Sequence, residues 1–113
     1  EEGTEFDDSI GKTGDWRNAG PVHDLPYRIL YGDKVANLSV AGRCVSVTTD
    51  MWDITRVIPT CAVTGEAAGA AAALTAKESI GFKDLDIKKL QNVLGLNDLD
   101  KNLKYKKLNL ICD

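Results

Sequence analysis

The stretch NLSVAGRCVSVTTDMWDITRVIPTCAVTGEAAGAAAALTA, residues 37–76, decides the fold. It passes from a short apolar strand through a Gly42-Arg43-Cys44 corner and an irregular loop into a small-residue helix opened by Pro59. Proline suits the first helical turn, where its missing N–H costs nothing and its fixed φ already matches the geometry. Eight alanines between Ala62 and Ala76 favour helix strongly and predict one from about Pro59 to Glu78. Gly65 and Gly69 stand four apart on one face, each costing about 1 kcal/mol of propensity against alanine. Two such losses, with Cys61, Ala62, Ala68, Ala72 and Ala73 keeping that side narrow, predict a close approach by another element.

Upstream, residues 1–24 carry Gly3, Gly11, Gly14 and Gly20 and no lasting periodicity, and read as irregular chain. Pro26-Tyr27-Arg28-Ile29-Leu30-Tyr31 has the aromatic and β-branched content of a strand, with Tyr27 as a packing residue. Residues 35–41 read as a second strand, with the intervening Gly32-Asp33-Lys34 able to turn a hairpin. Residues 45–48 extend a strand or form loop. Downstream, Gly81 closes the helical region, and Asp84 or Asp86 can cap a second helix whose stripe is Ile87, Leu90, Val93 and Leu94. Gly95 is its natural stop. Past it, Leu96, Leu99, Leu103 and Leu108 are scattered among Asn, Asp and Lys, compatible with a short helix or with a strand at 108–112.

At 113 residues the chain fits one small domain, burying roughly 65% of its extended-chain surface. Its apolar fraction of 43% and charged fraction of 27% are ordinary for a soluble protein. Seven acids in 1–24 face only Lys12 and Arg17, a net of −5, whereas 96–113 hold four lysines against three aspartates, a net of +1. The total of −3, with no basic stripe, argues against a nucleic-acid partner. Glu66, Lys77 and Glu78 leave the Ala-rich run well short of the roughly 20 apolar residues of a membrane span. Cys44, Cys61 and Cys112 have no metal-ligand spacing, and His23 is the sole histidine, so no metal site is expected. An odd cysteine count points to reduced thiols and a cytoplasmic location. A chain opening on Glu1 rather than Met reads as cut or processed.

GDWRNAGPV (14–22), PYRILYG (26–32), NLSVAGRCVSVT (37–48), MWDITRVIPTCAVTGEAAGAAAAL (51–74) and DLDIKKLQNVL (84–94) together resemble the carboxyl-terminal part of the FAD-dependent oxidoreductases, of the general build of glutathione-reductase-like flavoproteins. The resemblance implies an α/β fragment: short strands or a hairpin, a long Ala/Gly-rich helix and a second helix, completing a Rossmann-like FAD-binding domain. It divides the chain into an irregular acidic lead-in (1–25), the carboxyl-terminal part of the FAD-binding domain (26–95) and a lysine-rich tail (96–113). No GxGxxG turn or acidic ribose-binding residue is present in this sequence. The resemblance therefore implies a segment that lines the cofactor of a complete flavoprotein, binds FAD weakly or not at all alone, and is inactive alone. Its expected partner is the missing amino-terminal FAD-binding portion or a second copy. A free-standing interaction module derived from a flavoprotein fold is the alternative.

The corner and the helix start suit a nucleotide- or flavin-contacting surface because both offer unpaired backbone N–H groups. By the resemblance, Ala41, Gly42, Arg43 and Cys44 approach the pyrophosphate and ribityl chain. Gly42 would allow close approach, Arg43 would pair with oxygens and Cys44 would donate its backbone N–H. A forked, permanently charged guanidinium suits phosphate, although a surface arginine paired with a carboxylate has the same composition. Ile58, Pro59, Thr60 and Cys61 resemble the helix start facing the pyrimidine side of the isoalloxazine, with the Thr60 and Cys61 amides against the charge that reduced flavin carries there. The hydroxyl of Thr60 can equally serve its own backbone. Asp50, Met51 and Trp52 fall in the loop toward the flavin edge, so Asp50, Trp52 and Arg56 are the candidates for catalysis. Arg56 contacts flavin or substrate, or ties Asp53. Relatives carry a histidine near Thr49 or Asp50; here neither position has one, which leaves acid–base chemistry unassigned.

Overall fold

The computed structural model describes residues 4–96. Among them an antiparallel hairpin, β1 (Ser9–Gly14) and β2 (Val22–Pro26), precedes three helices, α1 (Thr49–Thr55), α2 (Ile58–Glu78) and α3 (Ile87–Val93). Sheet and helices share one core of Ile10, Leu25, Tyr27, Leu30, Val45, Ala67, Ala71, Phe82, Leu85 and Leu90. Cys112 and the terminal helix or strand expected after Gly95 lie outside the described residues.

The hairpin corrects two expectations. Ser9–Gly14 and the start of Val22–Pro26 are strand where irregular chain was expected, and the strands do not lie at 26–31 and 35–41. Lys12 pairs with Asp24, Thr13 with His23 and Gly14 with Val22, while an irregularity between Ser9 and Gly11 shifts the register. Asp24 is buried yet satisfied, taking hydrogen bonds from the Ser9 hydroxyl and the Phe6 amide. Polar cross-strand closure of this kind leaves no alternating apolar signature. Tyr27–Leu30 forms a 3-10 turn instead of a strand. Asp8 starts it: its carbonyl accepts the Tyr27 amide at 2.7 Å, and its carboxylate accepts the Arg28 amide at 3.1 Å and guanidinium at 2.6 Å. Three residues per turn then send Tyr27 and Leu30 to the same buried side. The second expected strand shrinks to a single bridge between Tyr31 and Ser39.

Helix α2 runs where expected and buries Thr60, Thr64, Ala67, Ala71 and Thr75, one face at steps of three or four. Gly65 and Gly69 lie on the opposite, exposed side, and a Cβ added at either meets nothing within 4 Å. The close approach is made instead at Gly11 of β1, where a Cβ would stand 2.6 Å from Val63 Cγ1 and φ is 149°. Only glycine combines that conformation with that contact. The left-handed residue ending α2 is Ser79 (φ 55°), not glycine, and the Ile80 amide returns to the Thr75 carbonyl at 3.1 Å.

Asp86 caps α3 as anticipated, accepting the Lys88 amide at 3.0 Å, and Gly95 takes the left-handed position with φ 71°. Leu90 of the expected stripe is fully buried, whereas Val93 points to solvent. Gln91 replaces it as the docking side chain, donating to the carbonyls of Asp7 (2.9 Å) and Ser9 (3.0 Å). No single helix among the described residues is long and apolar enough to cross a membrane.

Candidate functional site

The Gly42–Cys44 corner is a 3-10 turn seated on the first turns of α2. Gly42 adopts φ 62°, a conformation side chains rarely take, and its amide donates to Thr64 Oγ1 at 2.9 Å. Thr64 is fully buried and turns its own hydrogen toward the Thr60 or Cys61 carbonyl, both at 3.1 Å. One threonine side chain therefore fixes the corner to the helix. Ala41 precedes it as extended backbone.

Two amides assigned to a ligand are already spent. The Cys44 N–H closes the turn onto the Ala41 carbonyl at 3.3 Å, and the Cys61 N–H bonds the Val57 carbonyl at 3.0 Å. Both expectations are corrected for the same reason: a turn or helix uses its own amides one step earlier than the sequence boundary suggests. Pro59 has no N–H to give, so among the described residues Ile58 and Thr60 hold the start-of-helix amides without a backbone partner, and of the two only Ile58 is exposed. The Thr60 hydroxyl does not cap its own helix. It is buried, 2.6 Å from the Thr13 hydroxyl and 3.3 Å from the Ile54 carbonyl, and pins β1 to the junction of α1 and α2.

Residues 49–55, expected as loop, form α1, which meets α2 across a bend of 91°. The Thr55 hydroxyl donates back to the Met51 carbonyl at 3.0 Å. Asp50 is exposed in the first turn of α1, and Trp52 is 51% exposed with the Arg56 guanidinium 4.9 Å over its ring. His23 sits half-buried in β2 opposite Thr13.

At the bend a depression of about 360 Å³ is lined by Trp16, Arg43, Arg56, Val57, Ile58 and Pro59. It gathers three of the expected cofactor residues, Arg43, Ile58 and Pro59, with Arg56 of the catalytic candidates. Asp50 and Trp52 are not among its lining. Ile58 is 85% exposed at the rim. Arg43 is exposed and forms no ion pair among the described residues, unlike the paired surface arginine that composition also allowed. Arg56 does tie Asp53, Nε to Oδ1 at 3.2 Å.

Trp16 and Arg17 entered this site unannounced. They ride the β1–β2 loop, which reaches the end of α1: Trp16 Nε1 donates to the Asp53 carbonyl at 3.2 Å, and Arg17 Nη1 meets Asp53 Oδ2 at 3.1 Å. Asp15 orders the loop, accepting from Asn18 Nδ2 at 2.8 Å and the Arg17 amide at 2.9 Å. Those bonds, Asn18 first, hold its carboxyl below the usual carboxylate range. An Asp-Trp-Arg-Asn run followed by Gly-Pro is a turn signal in sequence, but its target 37 residues away is not. No cluster of His, Cys, Asp and Glu among the described residues suits a metal ion.

A family model described as FAD dependent oxidoreductase matches residues 3–94. No curated protein and no solved structure matches the chain.

Proposed function

The chain belongs to the FAD dependent oxidoreductase family, and from that premise we propose that it is the carboxyl-terminal, cofactor-lining part of a flavoprotein of the glutathione-reductase-like type. The observation that carries this reading is the Arg43 turn, held beside the start of α2 by the Gly42–Thr64 bond with its guanidinium unpaired. A free forked cation suits phosphate or ribityl oxygens. The Ile58 amide, on an exposed residue at the positive end of a 21-residue helix, suits the electron-rich pyrimidine edge of a flavin. These residues fit one pole of FAD, and the flavin, when bound, supplies the redox chemistry by accepting an electron pair from substrate. Trp16 and Ile58 offer exposed apolar surface at the depression, Arg43 orients the charged part of the ligand, and Thr64 fixes the turn that carries Arg43. No acid–base residue is assigned.

The dinucleotide-binding strand–turn–helix would come from a partner portion carrying the GxGxxG turn. Alone, the chain should bind FAD with a Kd weaker than roughly 0.1 mM, about 5.5 kcal/mol, and be inactive. Flavin fluorescence in a titration with the purified chain tests this; saturable micromolar binding would show a self-contained site. Joined to its partner portion, the same chain should retain flavin through gel filtration, and loss of flavin there refutes the family-level role.

The bare face of α2 favours a second reading, an interaction module. Ala62, Gly65, Gly69, Ala72, Ala73 and Ala76 are all exposed, a surface flat enough for a second backbone. Sedimentation separates the two: the module reading requires self-association of the chain by itself, whereas a monomer that pairs only with the dinucleotide-binding portion removes it.

A further inference from the structure

We propose that Asp53 is a positioning residue that holds Arg56 in an ion pair in the wall of the depression, so that the site presents a single uncompensated guanidinium, Arg43, to an anionic group. The proposal deepens the cofactor reading above and rests on it. Three arginines surround the bend between α1 and α2. Two of them share one carboxylate: Asp53 Oδ2 meets Arg17 Nη1 at 3.1 Å, and Oδ1 meets Arg56 Nε at 3.2 Å. Arg56 is further fixed with its guanidinium over Trp52. Arg17 is not a lining residue, and its other partner is Asp15, at 3.4 Å. The third, Arg43, has no carboxylate among the described residues.

Asp53 is itself held in place from outside its helix, since Trp16 Nε1 binds its backbone carbonyl. The carboxylate thus sits between a loop that carries one cation and a helix end that carries another, and together with Asp15 it balances both. Its effect on a ligand is a matter of number. With Asp53 charged, an anion entering the depression meets one uncompensated fork; with Asp53 neutral, Arg56, already in the lining beside Arg43, becomes a second. All three side chains of the pair network are partly exposed, so the restraint is soft and its release needs no rebuilding of the core.

The test is a titration of the chain with inorganic pyrophosphate at low ionic strength, read by the fluorescence of Trp16 and Trp52. Asp53→Asn should bind roughly tenfold more tightly than the unmodified chain, the change that about 1.4 kcal/mol produces. The gain should vanish in Asp53→Asn/Arg56→Ala. Glu66→Gln, the same change of formal charge on the exposed face of α2, should leave affinity where it was. Equal or weaker binding by Asp53→Asn, a gain that persists without Arg56, or no response in either chain overturns the proposal. If the Asn variant departs from the parent in far-UV circular dichroism, Asp53→Ser is titrated in its place under the same criteria. Failure of the flavin reading is distinguishable: it appears as loss of flavin from the assembled protein, whatever pyrophosphate does, whereas an assembled protein that holds flavin with no Asp53→Asn gain removes only this proposal.

Discussion

Replacing Thr64 by valine isolates the bond that seats the Arg43 turn. The two side chains have the same branched shape, so packing against the core is nearly preserved, and both are β-branched. What changes is the acceptor for the Gly42 amide, 2.9 Å from Thr64 Oγ1 in a partly buried position. Gly42 cannot turn that N–H elsewhere without leaving φ 62°, which the turn requires. An orphaned buried donor costs about 1–3 kcal/mol. The carbonyls of Thr60 and Cys61 lose only a secondary donor, because they lie within α2 and keep their helical partners. For a domain of this size each kcal/mol lowers Tm by about 4–8 °C. Thermal melts of wild type, Thr64→Val and Thr64→Ser should place Val lowest. Serine keeps the oxygen and should recover most of the loss, less a methyl group. A valine variant as stable as wild type, or a serine variant as weak as valine, would refute the claim that this oxygen fixes the turn.

Tyr27→Phe removes the hydroxyl that donates to the Phe82 carbonyl at 2.8 Å and should cost about 1 kcal/mol in urea unfolding. Burial, and then neighbouring Tyr31, raise the Tyr27 pKa above its ordinary 10.0. Its contribution is therefore complete below pH 10 and is lost as pH rises toward the folded-state value, so Tyr27→Phe should flatten the alkaline limb of a stability profile. Gly69→Ala should stabilise the chain by about 1 kcal/mol, since the added methyl meets nothing and helix propensity rises. Gly69→Leu should lower flavin retention and Tm in the assembled protein, where overpacking costs about 1–3 kcal/mol, while leaving the chain alone folded; unchanged assembly would show that this face stays in solvent.

Helix α2, the Asp86 cap and the Gly95 stop were legible because each depends on a local rule: alanine content with an early proline, an Asx side chain within reach of a nearby amide, a residue free to take positive φ. The hairpin was not, because its strands hold little apolar pattern and are closed by Asp24, Ser9 and the Gly11–Val63 contact, all between residues distant in sequence. The Tyr27–Leu30 turn was misread as strand since its composition suits either form, and Asp8, some 20 residues away, decides. Arg43, Ile58 and Pro59, which line one depression, were singled out through the family resemblance; composition alone left Arg43 as a surface arginine. The Arg56–Asp53 tie was one of the readings local spacing offered, whereas Trp16 and Arg17 were beyond reach, because only the folded hairpin brings that loop to the end of α1.

The small residues of α2 have different consequences on its two sides. On the inner face, threonines at 60 and 64 and alanines at 67 and 71 let β1 and the Gly42 turn come close, and the hydroxyls then satisfy backbone and side-chain groups that such proximity would strand. On the outer face, glycines 65 and 69 weaken the helix and receive no contact in return among the described residues. Intrinsic propensity alone would favour alanine at both positions by about 1 kcal/mol each. The glycine face of α2 and the unpaired Arg43, which the Gly42–Cys44 turn presents to an open depression, are the two features the proposed partner portion has to account for. Both features gain a role if the dinucleotide-binding portion packs across the glycine face and brings the rest of the ligand to Arg43.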